Sequence, residues 1–217
     1  MKRFMIILAI FLSMLMFPAL AKSQGNPQVL LVLPDTMPPY IRYIDTMLTK
    51  EVSVMKTMLE KAGFKVAAAT TDGLPIKGST VTFTPDLKLS DVKVNDYVGV
   101  INACMAGGAW LSISVSPIAV SIAKQAVTQG KPVAASHGSV IMLAEAGVLV
   151  GKRYGFWTDP SGIGDRFAGA IYGGTGVVQD GNIITCGVCP QVSADQGLSD
   201  CTRELTQALI TALTTKK

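Results

Sequence analysis

Six side chains hold most of the chemical potential of this sequence: Cys104, Cys186, Cys189, Cys201, Ser136 and His137, the last being its one histidine. A cysteine reacts as its thiolate, which a suitable environment makes available near neutral pH. A serine hydroxyl has a far higher intrinsic pKa and needs a general base. In Ser136-His137-Gly138 the obvious base is the adjacent histidine. Cys186-Gly187-Val188-Cys189 has the spacing of a redox pair, but it follows a strand without opening a helix in the thioredoxin manner. Four cysteines allow three full pairings, and Cys189–Cys201 or Cys186–Cys189 is the favoured structural bridge. A metal site of Cys104, Cys186, Cys189 and His137 can be drawn, but the second paired spacing of a zinc site is absent. No metal and no cofactor are expected.

These residues need a scaffold. Gln28–Leu33 reads as a buried first strand, and the proline-rich Pro34–Tyr40 as a loop. Thr49–Ala62 places Val52, Met55, Leu59 and Ala62 on one helical face, closed by Gly63. Met47, Met55 and Met58 read as core or dimer contacts. Phe64–Ala69 is a second strand, Asp72–Pro85 contains a hairpin pattern, and Asp96–Ile101 is a third core strand. Ser116-Pro117 opens a helix through Gln129, and Lys131–Ala135 is a short strand running into Ser136. A helix over Ser139–Ala146 follows, then an irregular stretch over Phe156–Gly169. Ala170–Gln179, Asp180-Gly181 and Asn182–Thr185 read as strand, turn and strand, and Ser199–Leu213 as the closing helix.

Alternating strands and helices imply one α/β domain with a mainly parallel sheet covered on both faces. Ligands of such sheets bind beyond the carboxyl ends of the strands, which directs attention to Cys104, Ser136 and Cys186. The glycine-rich Gly173–Gly176 precedes no helix and reads as a turn rather than a phosphate cradle. Trp110 and Trp157 fall in irregular segments near the expected pocket mouth.

Lys2 and Arg3, the apolar run Phe4–Met16 and the small-residue pattern Ala19-Leu20-Ala21 read as a secretory signal peptide over residues 1–21. Residues 22–27 read as a leader remnant, and 28–217 as the folded domain. The expected address is periplasmic or secreted, with no membrane attachment after leader removal. Without Lys2 and Arg3 the 19 basic side chains become 17 against 15 acidic ones. That balance gives no basic surface for nucleic acid.

The run Gly130-Lys131-Pro132-Val133-Ala134-Ala135-Ser136-His137-Gly138, with Leu143-Ala144-Glu145-Ala146-Gly147 and Gly151-Lys152 after it, resembles the PfpI family. That family lies close to class I glutamine amidotransferases, and its usual elbow reads Ala-Ile-Cys-His-Gly-Pro. The resemblance extends from Gln28 to about Leu213, including Glu51, twelve residues before Gly63, Asp96, and Asp180-Gly181-Asn182. It implies a three-layer, flavodoxin-like sandwich of the class I glutamine amidotransferase type, and a homodimer. It also implies a nucleophile position, here assigned to Ser136, with Gly138 following it and the Glu51 carboxyl leaning toward it. Cys104 or Met105 occupies a glycine position of the family's oxyanion-binding segment.

The resulting expectation is a hydrolase-like pocket in which Ser136, His137 and Glu51 act on a small acyl or carbonyl compound. Cys104, Met105, Cys186 and Gly138 would line it. A sharper variant has Cys104 facing Ser136 as the reactive thiol. Two other readings stay open: a ligand-binding or stress-related module without turnover, and a thiol-redox protein using Cys104, Cys186 and Cys189. Whether the chain is an enzyme is therefore not fixed by its sequence.

Overall fold

The computed structural model describes residues 26–33, 41–104, 115–161 and 165–215. The leader, the proline-rich segment before Ile41, Met105 and Trp110 lie outside the described residues.

The chain begins with strand β1 (Gln28–Val32) and helix α1 (Ile41–Met47), which continues through a π-helical turn, Leu48–Val52, into α2 (Ser53–Lys61). Strand β2 (Lys65–Thr70), the hairpin β3 (Ile76–Lys77) and β4 (Thr82–Phe83), and β5 (Leu87–Lys88) follow. Next come β6 (Gly99–Asn102), α3 (Pro117–Thr128), β7 (Val133–Ser136) and α4 (Gly138–Glu145). The chain then forms β8 (Arg153–Tyr154), β9 (Ile171–Tyr172), β10 (Val177–Asp180) and β11 (Ile183–Cys186). Helices α5 (Pro190–Gln196) and α6 (Thr202–Thr215) complete the described fold.

The main sheet has seven strands in the order β10-β11-β7-β6-β1-β2-β5, parallel except for β10. Alternate residues of its short apolar strands bury opposite faces. Leu30, Val32, Val100, Val133 and Ala135 pack toward α3 and α4, whereas Val29, Leu31, Ile101, Ala134 and Ile184 pack toward α2 and α6. Both faces are covered, which explains why these strands lack polar alternation. From β1 the chain builds outward to β2 and β5, then returns to the other side as β6 and β7. The strand order thus reverses beside β1, placing a crevice at the carboxyl ends.

Several expected boundaries move. Val52, Met55 and Leu59 are buried as their spacing predicts, while Ala62 is exposed where the helix ends. Asp96 closes a 3-10 turn, Val94–Asp96, and the third core strand starts only at Gly99. Strand β7 extends one residue beyond its expected end and takes in Ser136. Among the described residues, no helix is long and apolar enough to cross a membrane.

Cys186, the last residue of β11, is joined by a disulfide to Cys201, immediately before α6. Neither favoured bridge forms, because Cys189 turns away to another neighbour. Their Cα atoms are 6.4 Å apart, and the bridge closes a segment 15 residues long. A cross-link of that span removes about 3 kcal/mol of freedom from the unfolded chain. The double substitution Cys186→Ala, Cys201→Ala is expected to lower the unfolding free energy by about that amount in urea titrations. An unchanged midpoint would show that the bridge does not restrain the fold.

Candidate thiol-imidazole site

The site lies just past the carboxyl ends of three neighbouring parallel strands. Strand β7 pairs with β6 on one side and β11 on the other. Cys104 follows β6, His137 follows β7, and Cys189 follows β11. Because strands in a sheet lie about 4.8 Å apart, side chains leaving three adjacent ends can meet. His137 occupies the middle: its Nδ1 is 3.2 Å from Cys104 Sγ and 3.5 Å from Cys189 Sγ. One ligating atom from each of the three falls within 4.8 Å of the others.

The bend that presents the imidazole belongs to His137 rather than Ser136. His137 has φ 39° and ψ −104°, the one positive φ at a non-glycine among the described residues. Such a conformation costs an L-residue about 1–3 kcal/mol and persists where the surroundings hold it. Here the His137 N–H donates to the Cys186 carbonyl at 2.7 Å, and the ring stacks on Phe156 with centroids 5.7 Å apart. Phe156 is itself crowded from behind by Gly187. A Cβ on that glycine would come within 2.3 Å of the Phe156 backbone.

Ser136, by contrast, is the final strand residue, in register with Cys186 and fully buried. Its Oγ has no well-formed hydrogen bond. The neighbouring Ser139 ties the bend together: its Oγ accepts the Ser136 N–H at 3.0 Å and lies 2.9 Å from the Asn102 carbonyl. The expected presentation of Ser136 at an open rim is therefore corrected by one residue.

Glu51 does reach the site, carried by the π turn. It is completely buried, and its Oε2 accepts the Cys104 N–H at 3.1 Å. Burial pushes its carboxyl well above the ordinary range, with the charge on Cys189 adding to the effect; Ser136 and the Cys104 N–H pull the other way. Glu51 thus holds the Cys104 backbone and lies beside Ser136, whereas the imidazole is engaged by the two sulfurs. Its Oε1 has no well-formed hydrogen bond.

The two free thiols pull each other's titration in opposite directions. Cys104 donates a hydrogen bond to Cys189, which raises the Cys104 thiol well above its usual value; burial adds to this, and the Gly138 N–H opposes it. The same hydrogen bond lowers Cys189 far below an ordinary thiol against the cost of burial, and His137 helps. Cys104 is half-buried and Cys189 buried. The inner sulfur is thus the more acidic of the two and the outer one the more accessible.

Of the three cysteines in the thiol-redox reading, Cys186 is taken by the disulfide to Cys201, while Cys104 and Cys189 remain free. Cys104 faces His137 rather than Ser136. Three of the four residues from which a metal site could be drawn converge, contrary to the expectation from spacing. Gly138 is buried at the site, Trp157 packs against both core clusters, and the Gly173–Gly176 turn accepts the Phe156 and Gly187 amides. The sequence places Cys189 in the metal and thiol-redox alternatives but not in the pocket lining, because nothing local links it to Cys104, 85 positions earlier.

Residues 40–201 match the family model described as the DJ-1/PfpI family. An uncharacterized protein of Archaeoglobus fulgidus is 39% identical over 104 residues, covering 46% of this chain and 58% of its own length. Another, from Methanocaldococcus jannaschii, is 32% identical over 133 residues, covering 59% and 63% respectively. Both matches span less than two thirds of those relatives. Among solved structures, a ThiJ/PfpI domain protein from Brachyspira murdochii superposes with a TM-score of 0.64 at 18% identity, covering 89% of this chain and 100% of that one. Drosophila melanogaster DJ-1beta gives 0.57 at 21%, covering 88% and 96%. At these identities the superpositions establish the fold alone.

Placing the bend at residue 137 has a measurable consequence. His137→Gly is expected to be more stable than His137→Ala by about 1 kcal/mol, since only glycine adopts this backbone freely. In the strand, Ser136→Gly is expected to be less stable than Ser136→Ala. Urea midpoints of the four variants check this, and the reverse order would move the bend to Ser136.

Proposed function

The chain belongs to the DJ-1/PfpI family, and from that premise we propose that its elbow pocket works as a dithiol redox centre built on Cys104 and Cys189. The observation that carries this reading is the meeting of two free thiols and one imidazole within 4.8 Å at three adjacent strand ends. The substrate class is a small molecule bearing a disulfide.

The half-buried Cys104 sulfur attacks one sulfur of that disulfide as its proton passes to Cys189. The first small thiolate leaves, and a mixed disulfide remains on Cys104. Cys189 then passes its proton through His137 and attacks Cys104 Sγ. The second small thiol departs with that proton, leaving a Cys104–Cys189 disulfide. In sum, one external disulfide is reduced to one thiol and one thiolate, which takes its proton from solvent, while the protein's two sulfurs are oxidised to a disulfide. His137 moves a proton between sulfurs, and Glu51 positions Cys104 through its backbone N–H.

Two further features support this reading over serine hydrolysis. Ser136 is buried within a strand, and the elbow position at its end is taken by an imidazole. The Cys186–Cys201 bridge and the leader-like N-terminus both suit an oxidising compartment, where disulfide substrates are available.

Oxidised glutathione is the probe, with peptide mapping of the products. The native chain is expected to acquire a Cys104–Cys189 cross-link, and Cys189→Ser to accumulate a glutathione adduct on Cys104. Cys104→Ser is expected to lose both products. A native chain whose two thiols remain fully alkylatable after oxidation would remove this reading.

A further inference from the structure

The donor set at the strand ends also suits a cation. We propose that, when reduced, Cys104, Cys189 and His137 hold one Zn²⁺ ion, with a fourth coordination position open to water or a small ligand. The inference rests on the preceding reading only in requiring both thiols to be free and reduced.

Geometry is the first argument. With Zn–S near 2.3 Å and Zn–N near 2.0–2.1 Å, tetrahedral ligands separate sulfur from nitrogen by about 3.5 Å. The observed Nδ1 to Sγ distances are 3.2 and 3.5 Å. The three donor atoms lie within 4.8 Å of one another, so side-chain adjustments bring them onto one ion. Thiolate and imidazole are moreover the donors that zinc prefers over harder cations.

Charge is the second argument. Two thiolates and a neutral imidazole around a divalent ion sum to zero, which a poorly solvated site tolerates. A monovalent copper ion in the same cage would leave a net negative charge to be buried. Binding releases to solvent the thiol protons that the pair still carries, so atoms and charge balance.

The surroundings give the third argument. Three protein donors with a vacant fourth position form the pattern of zinc sites that bind an exchangeable ligand. Glu51 and Ser136 are buried beside this trio, with their side chains facing each other. Further out, Glu51 Oε2 fixes the Cys104 backbone, and Phe156 fixes the plane of the imidazole. Such supporting contacts orient ligands in zinc proteins.

The test uses the full chain, reduced and handled without oxygen, titrated with Zn²⁺ against a chromophoric chelator and separately with Cu⁺. One equivalent of zinc is expected to bind. Cys104→Ser, Cys189→Ser and His137→Gln should each weaken binding at least about tenfold. Co²⁺ in place of zinc should give a strong thiolate-to-cobalt absorption that fades in either serine variant. Without any substitution, zinc should slow alkylation of both Cys104 and Cys189, so a misfolded variant cannot decide the outcome. Zinc binding that survives all three substitutions, or uptake of Cu⁺ alone, would overturn the proposal. If zinc is not retained while both thiols alkylate freely, the zinc site fails and the dithiol centre stands. If the thiols are inert in every arm, both readings fall.

Discussion

The spacing of three neighbouring parallel strands governs this structure. A ladder holds β6, β7 and β11 about 4.8 Å apart, and all three run in the same direction. Whatever side chains follow their carboxyl ends must share one small volume. Because β7 is the middle strand, the residue at its bend meets neighbours from both sides. Here that residue is His137 and the neighbours are Cys104 and Cys189. The chemistry follows from strand order before any detail of side-chain packing.

Other contacts hold that arrangement against its own costs. A positive φ at a histidine is unfavourable, and both free thiols are removed from much of the solvent. The Cys186 carbonyl, the Ser139 hydroxyl and the Phe156 ring fix the bend. The disulfide from Cys186 to Cys201 encloses the segment carrying Cys189, so the inner thiol is held by a covalent loop. On the opposite side, a single turn of wider helix delivers the Glu51 carboxyl group to the Cys104 amide. π turns of this kind often occur at functional positions.

Much of the architecture was legible from the residues. Short runs such as Val29–Leu33 and Val133–Ala135 lack polar alternation because both sheet faces are covered, and that pattern reads directly as parallel α/β. Ser116-Pro117 and Gly130 marked the ends of α3, and Gly181 the turn between β10 and β11. The short helix α5 was missed, since Pro190–Gln196 is mostly polar and takes its order from Cys189 and the chain folding back to Cys201. The site was legible in its members but not in its wiring. Cys104, His137, Glu51 and Cys189 all attracted notice, yet which sulfur faces which partner depends on strand order. A shift of one residue at Ser136-His137 reverses which side chain leaves the strand. The sequence likewise favours pairing Cys189 with Cys201 or with Cys186, whereas the fold joins Cys186 to Cys201 and turns Cys189 toward Cys104 and His137.

The most direct test of this convergence is chemical. A trivalent arsenical such as phenylarsine oxide bridges two thiols only when both can bond the same arsenic atom. One equivalent added to the reduced, folded protein should protect Cys104 and Cys189 together from alkylation, with one arsenic retained per chain. If the reagent protects neither thiol, or labels Cys104 while Cys189 still alkylates, the two sulfurs do not share the site and the account is contradicted.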